Sequence, residues 1–336
     1  MKKILYLGWW YLRALFGRRA PLQSVIFILD RCNLRCKHCS VYELEHPRSK
    51  KMEEIREELE DCYKAGSRYV DFEGGELYLW RDGEKTIDDV IDMAHEIGFW
   101  SVTITTNAQI PFAGSHADRI WVSMDGIGKY HDQIRGEGTF ERLERHIVES
   151  GKTAALKDKR QKTKDERQKT APVCVNMVIN KWNAQNVEEA LEYVKNNPYI
   201  EEISFNFHTP FKETKELFLD VDKRNAIIDT LIAYKRKGYP IMNTVSGLKA
   251  MKMVNGKTVC TDEWCWVTNF IFSDGSRAPK CMGYTHGVCD QCGFAMGGEM
   301  YSLFHFSIET MLAGLKVRGQ RQKSKDRCAQ RQKTNA

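Results

Sequence analysis

From residue 24 to residue 238, short apolar runs alternate with longer stretches of helical period, and the alternation repeats six times. "SVIFILD" (24–30) is continuously apolar, as expected of a strand covered on both faces. "EEIREELEDCYKAG" (53–66) places apolar residues at helical spacing and stops on a glycine. "YVDFEGG" (69–75), "WSVTITT" (100–106), "RIWVSMDG" (119–126), "PVCVNMVI" (172–179) and "EEISFNFH" (201–208) predict five further strands. The helices predicted with them are "TIDDVIDMAHEIG" (86–98, with a Thr cap), "TFERLERHIVES" (139–150), "NVEEALEYVKNN" (186–197) and "RNAIIDTLIAYKRKG" (224–238). Strand–helix units in series call for parallel strands joined by right-handed crossovers. The expected class is therefore α/β: a partial (β/α)6 TIM-like barrel, with its chemistry in loops at the strand C-termini. A flat doubly wound sheet is the alternative, disfavoured because no glycine-rich dinucleotide fingerprint follows the first strand.

Ahead of the barrel, "ILYLGWWYLRALFGRRAPL" (4–22) is rich in Trp, Tyr and Leu, interrupted by Arg13 and closed by Arg18 and Arg19. It is too short and too charged to span a bilayer, and suits a helix lying in a membrane interface or capping the barrel bottom. The expected organisation is an amphipathic segment (1–22), the barrel core (23–240), a small cysteine-rich extension (241–317) and a basic tail (318–336).

Charge changes one part of this picture. The chain of 336 residues carries a net +6, but residues 152–170 hold +5 and residues 318–336 hold +6, which leaves the remainder at −5. Within them, residues 160–170 and 321–334 repeat an Arg-Gln-Lys unit and lack aromatic and large aliphatic residues, so the two stretches read as a solvated insert and a solvated tail. A basic face for a phosphate backbone is not indicated, and a nucleic-acid partner is not expected. The 11 cysteines, with no secretory leader, favour a reducing cytoplasm and metal ligation over disulfides.

The densest cysteine group is "RCNLRCKHCS" (31–40), which places Cys32, Cys36 and Cys39 directly after the first strand. Three thiolates suit a four-iron cluster whose fourth iron stays open. Zinc held by these cysteines and His38 is the alternative, although His38 adjoins Cys39 and would strain to reach the same ion. At the end of the second strand, Gly74 and Gly75 allow the backbone to approach a ligand closely, and Glu76 adds an acceptor.

The CxxxCxxC loop followed by a Gly-Gly-Glu turn resembles the radical S-adenosylmethionine (radical SAM) enzymes. The resemblance implies a [4Fe–4S] cluster on Cys32, Cys36 and Cys39, and SAM contact by Gly74, Gly75 and Glu76. Leu77 stands where the family often has proline. "TITTNAQI" (103–110) places Asn107 where the family frequently has a Thr-Asn pair, and "VSMDGIGKYHDQIRGEGTF" (122–140) is similar to the family's fourth-strand segment, implying that Ser123 and Arg135 meet SAM. For Asp125 and His131, local hydrogen bonding and ligand contact are both open. An electron donor such as flavodoxin or ferredoxin is implied.

Five further cysteines, Cys260, Cys265, Cys281, Cys289 and Cys292, lie within 33 residues. "CWVTNFIFSDGSRAPKC" (265–281) reads as a hairpin turning at Asp274 and Gly275, and "CDQC" (289–292) adds two thiols at ligand spacing. Cys265, Cys281, Cys289 and Cys292, with Cys260 as a further candidate, suffice for one auxiliary cluster or a structural zinc. The segment resembles the SPASM or twitch extensions of radical SAM enzymes. The layout is also similar to the family's hopanoid adenosyl-transferring branch, except that Thr105 occupies the place of a radical-quenching cysteine there. Cys62 and Cys174 read as small core residues. Two substrate classes are compatible with these resemblances, a peptide or protein and an isoprenoid-type lipid; the latter goes with peripheral membrane contact through residues 4–19. The reading from another class is a non-catalytic zinc protein that binds RNA through its basic tails.

Overall fold

The computed structural model describes residues 2–39, 47–160, 171–259, 262–278 and 280–316. Cys260 and residues 161–170 and 318–336 lie outside the described residues.

Helix α1 (Lys2–Leu15) precedes strand β1 (Gln23–Leu29), helix α2 (Met52–Ala65), strand β2 (Tyr69–Gly74) and helix α3 (Ile87–Ile97). Strands β3 (Ser101–Thr106) and β4 (Arg119–Ser123) come next, then helices α4 (Lys129–Arg135) and α5 (Thr139–Arg160). Strand β5 (Val173–Ile179), helix α6 (Val187–Asn196), strand β6 (Ile200–Phe207) and helix α7 (Val221–Arg236) complete the repeat. Strands β1 to β6 are hydrogen-bonded in sequence order, each parallel to the next. This is the parallel α/β sheet that the alternation predicts, each strand within a few residues of its expected bounds.

The apolar alternation sets which face each strand turns to the helices. Val70 and Phe72 of β2, and Val102 and Ile104 of β3, join the fully buried layer with Ile55 and Leu59 of α2 and Val90 and Ile91 of α3. Burying such side chains contributes roughly 1.5–3 kcal/mol each. The opposite face of the same strands, toward the barrel interior, carries Asp71, Glu73, Thr103 and Thr105. At the N-terminal ends of β4, β5 and β6 that interior is closed by Arg119, Cys174 and Glu202. The Arg119 guanidinium lies 3.0 Å from the Glu202 carboxylate, and Cys174 sits fully buried beside them.

Two features depart from expectation. The helix expected over 139–150 continues as α5 to Arg160, so the first half of the basic insert is helical. Each residue of that stretch adds an i→i−4 bond to a helix already nucleated by buried Leu143 and Ile147. The second departure lies beyond α7. Helix α8 (Val245–Ala250) and the small hairpin β7 (Met253–Val254) and β8 (Lys257–Thr258) lead to strand β9 (Thr268–Ile271), which pairs parallel with β1. Strand β10 (Arg277–Ala278) returns antiparallel to β9 around a turn in which Gly275 N–H donates to Phe272 O. The hairpin thus extends the barrel sheet to eight strands. Helices α9 (Met282–Thr285), α10 (Ala295–Phe304) and α11 (Ile308–Lys316) complete the described chain.

Helix α1 lies across the N-terminal ends of the strands. Tyr6 donates to Gly66 O just before β2 and meets Trp100 edge-on just before β3. Its buried Trp10 and Ala14 pack on Val267 and Phe304. It caps the barrel bottom, and no helix among the described residues is long and apolar enough to cross a membrane.

Candidate active site

The cysteine loop leaves the C-terminal end of β1 and is fixed to its neighbours by main-chain bonds. Gly75 N–H donates to Leu29 O (2.7 Å), Glu76 N–H to Arg31 O (3.0 Å) and Lys37 N–H to Ile134 O (3.0 Å). Within the loop, Cys39 N–H donates to Cys36 O. The two glycines are required by this approach. A Cβ on Gly74 would stand 2.2 Å from Leu29 O, and one on Gly75 would stand 2.1 Å from Arg31 O; Gly74 also has φ +139°. The backbone that the sequence motif brings close is therefore the chain's own. Gly75→Ala is expected to cost about 1–3 kcal/mol through overpacking, lowering Tm by about 2–4 °C per kcal/mol. Gly8→Ala, in open space on α1, is expected to leave Tm unchanged or raise it. Thermal melts of both variants check the contrast.

Glu76 is fully buried, and its carboxylate is committed to the protein. It accepts from Asn107 N (2.8 Å), Thr106 Oγ1 (2.8 Å) and Tyr78 N (3.2 Å), tying the end of β2 to the end of β3. Burial raises its pKa, and the hydrogen bond from Asn107 N–H acts against that. Asn107 turns its side chain to the cysteine loop, with Nδ2 2.7 Å from Asn33 Oδ1 and 3.6 Å from Cys32 Sγ.

Arg135 performs the equivalent service on the other side of the loop. Its Nε lies 2.6 Å from Asp125 Oδ2, and its Nη1 lies 3.7 Å from Cys36 Sγ. Asp125 is a buried hub: it also accepts from Val178 N (3.0 Å), and its own N–H donates to His131 Nδ1. His38 Nε2 stands 3.5 Å away from it. Burial opposes the Asp125 charge, but Arg135, His38 and His131 outweigh it and hold its pKa below the usual value. Burial pushes His38 down to about 4 and His131 down to about 3, so both rings are neutral near pH 7. Asp125 and His131 thus make local bonds that orient Arg135.

Burial pushes Cys36 up to about 11 and also raises Cys32, while Arg135 acts to lower Cys36. Among the described residues, no three Cys, His, Asp or Glu side chains converge where one metal ion could be held. A multi-iron cluster takes each thiolate on a separate iron, so it would not require the three cysteines to converge on one point.

The expected C-terminal ligands are brought together in part. The Cys292 thiol is pushed up to about 11 by burial, with Cys281 and Cys289 close enough to raise it further. Cys265 lies on the turn Asp262–Val267 ahead of β9. This segment is seated at the barrel mouth: Phe207 N–H donates to Gly293 O, Gly293 N–H to Thr209 Oγ1, and Ala295 N–H to Asn206 Oδ1. A Cβ on Gly293 would stand 1.7 Å from Phe207 O, so only glycine permits the seat. Fully buried Arg224 holds it from below by donating to Cys292 O (2.7 Å) and Met251 O (2.8 Å).

The barrel interior beneath the loop holds residues that the sequence motifs did not single out. Asp71 and Glu73 alternate along β2 on the inner face, and Thr103 Oγ1 donates to Asp71 Oδ1 at 2.8 Å. Burial raises both carboxyls, and the Asp71 charge raises Glu73 further. Ser123 lies in register with Asn176, whose Oδ1 accepts from Asn206 Nδ2 at 2.8 Å. The signal was present in "YVDFEGG", where acidic residues alternate with the apolar residues of a core strand.

Residues 26–149 match the family model of the radical SAM superfamily. A search of curated protein sequences finds no match. Among solved structures, the chain is similar to Streptococcus suis SuiB bound to its precursor peptide SuiA, with TM-score 0.61 and 16% identity over 82% of this chain. It spans 63% of that SuiB chain's length. It is also similar to anSMEcpe with bound AdoMet and Kp18Cys peptide, with TM-score 0.56 and 17% identity over 85% of this chain and 83% of that one. At such identities the likeness establishes the fold.

Proposed function

Because residues 26–149 form a radical SAM domain, we propose that the chain is an enzyme that uses SAM radical chemistry to modify a peptide or protein. The observation that carries this reading is the three-cysteine loop at the barrel mouth, with Asn107 and Arg135 directing N–H groups at its sulfurs. Cys32, Cys36 and Cys39 would hold a [4Fe–4S] cluster, which with SAM supplies reductive sulfonium cleavage to a 5′-deoxyadenosyl radical. The donors on Cys32 and Cys36 offset thiolate charge, and Asp125 keeps Arg135 from carrying an unbalanced buried charge. Asn107, Ser123 and Arg135 are assigned to SAM by side chain. Gly74, Gly75 and Glu76 are assigned by main-chain carbonyls, which suit an ammonium group, since the Glu76 carboxylate already accepts three bonds.

The barrel interior supports a peptide over an isoprenoid lipid. Asp71 and Asn176 each accept one bond from within the barrel, but a hydrocarbon would offer nothing to the remaining polar atoms of Asp71, Glu73, Ser123 and Asn176, at a cost of roughly 1–3 kcal/mol for each group left unsatisfied. A peptide brings its own donors. The neighbours SuiB and anSMEcpe, described with peptides, agree with this choice. We assign Cys281, Cys289 and Cys292, with Cys265 and Cys260, to one auxiliary cluster or structural zinc. A flavodoxin or ferredoxin is the electron donor, and the setting is the cytoplasm with peripheral membrane contact through residues 4–19. The zinc-protein reading gives no role to the N–H groups that Asn107 and Arg135 direct at the sulfurs of the cysteine loop.

Anaerobic reconstitution, iron and sulfide counts and a dithionite-driven assay for 5′-deoxyadenosine test this. About eight irons per chain with SAM cleavage is the expected result, and about four with zinc makes the C-terminal site structural. Zinc alone, with no cleavage, overturns the proposal.

A further inference from the structure

The solvent side of α1 is apolar throughout. Leu5 is 65% exposed, Leu12 57%, and Phe16, one residue past the helix with its N–H still donating to Leu12 O, 84%. At about 100° per residue, these three fall with Ile4, Trp9 and Leu15 inside an arc of about 140° that otherwise holds only Gly8 among the described residues. The opposite side is already buried on Trp266 and Phe304. A helix capping the barrel for its own sake needs only that inner face, and six exposed apolar side chains on one arc mark an interaction surface.

A second observation specifies the partner. Between α1 and the C-terminal end of α2 lies a cleft of about 310 Å³. Arg13, Arg18, Lys64 and Arg68 line it beside Tyr6 and Trp9, and no carboxylate lines it. Glu60 reaches Lys64 only at 3.8 Å from the exposed surface of α2. Arg13 stacks its guanidinium over Trp9 at 4.3 Å, and its Nε is buried without an acceptor. The carbonyl end of α2, which would repel an anion, is neutralised: Tyr63 O accepts from Arg68 Nη1 and from Gly66 N. Four cations around a cleft that holds no carboxylate, adjoining an apolar strip, complement a phosphate group at the boundary of hydrocarbon and water.

We propose that Arg13, Arg18, Lys64 and Arg68 form a headgroup pocket for an anionic phospholipid, and that α1 seats the barrel's N-terminal end on a bilayer with Leu5, Leu12 and Phe16 among the acyl chains. The six-residue strand β2 separates this surface from the cysteine loop, about 20 Å at 3.3 Å per residue. The contact is therefore an anchor that leaves the mouth open to a peptide from the water side, and the helix offers no route from bilayer to cluster. This deepens the peripheral-contact assignment and depends on it.

The test is co-sedimentation of the full chain with vesicles of phosphatidylcholine alone or with about one third phosphatidylglycerol, a fraction chosen to give a strongly anionic surface. Wild type is expected to bind the anionic vesicles at least tenfold more tightly, with a salt-sensitive affinity. Arg13→Gln/Arg18→Gln/Lys64→Gln should bind both vesicles equally and weakly, and Leu5→Ser/Leu12→Ser/Phe16→Ser should lose both. Retained anionic preference in the glutamine variant overturns the pocket and leaves the contact standing. Wild type that ignores both vesicles overturns contact and pocket together. If millimolar inorganic phosphate displaces the chain from anionic vesicles, the pocket serves free phosphate and the lipid assignment fails.

Discussion

Cys36→Ala is expected to abolish reductive SAM cleavage and to leave any metal held by the C-terminal cysteines in place. On the proposed function, two thiolates would not retain a cluster built on three, and Cys36 is the thiol nearest a buried cation, with Arg135 Nη1 3.7 Å from its sulfur. The C-terminal cysteines hang on a different support, the seat of Gly293 on β6 and the Arg224 clamp. Iron should fall by about four per chain, and 5′-deoxyadenosine should fall to the level of a control without enzyme. Cys62→Ala is the matched control: its thiol is buried between α2 and the sheet, where it accepts from Asn269 Nδ2, and the change should cost stability without touching cleavage. Cleavage by Cys36→Ala at even a tenth of the wild-type rate would remove Cys36 from the ligand set.

Much of the barrel was legible because its strands are short, apolar and bounded by turn residues. The period of each helix could likewise be read from residues such as Val90, Ile91 and Ala94, all of which are buried. The partner of β9 could not be read. A four-residue strand has no register of its own, and its pairing with β1 depends on an edge that exists only once the barrel has formed. The extension of α5 into the basic segment escaped for a different reason. Lys and Arg are good helix formers, and their charge signals solvent without signalling coil.

The site shows the same division between pattern and context. The cysteine loop and the glycine pair were legible as spacing, and Asn107 and Arg135 through the resemblance to the radical SAM enzymes. Their partners were not, because Gly75 meets Arg31 O, and Arg135 meets Asp125, across loops remote in sequence. A carboxylate in "FEGGEL" reads as an acceptor for a ligand, whereas Glu76 has its lone pairs filled by Thr106, Asn107 and Tyr78. The acceptors left for an incoming group are the other acidic pair of the same strand, whose role depends on which face of β2 is the interior.

Asp71→Asn/Glu73→Gln is expected to uncouple SAM cleavage from substrate modification. Neither residue touches the cysteine loop or Arg135, so 5′-deoxyadenosine formation without substrate should stay within about twofold of wild type. Product from a peptide substrate should fall at least about a hundredfold, since each amide removes the charge from one hydrogen bond to substrate, and two such charged bonds at roughly 1.5–3 kcal/mol each give that range. The stability profile supplies an independent readout. Both carboxyls titrate above their usual values because burial disfavours the charge, and Glu73 is raised further by Asp71. The folded chain therefore holds these protons more tightly than the unfolded chain. Their contribution is fully present below the ordinary carboxylate range and is lost as pH rises through the raised folded values. Wild-type Tm should decline across that window and the double amide should not, so their difference widens with pH. A pH-independent difference would mean that the pair takes up protons alike in the folded and unfolded chain, so that burial does not raise it, and unchanged product formation would show that the substrate does not reach it.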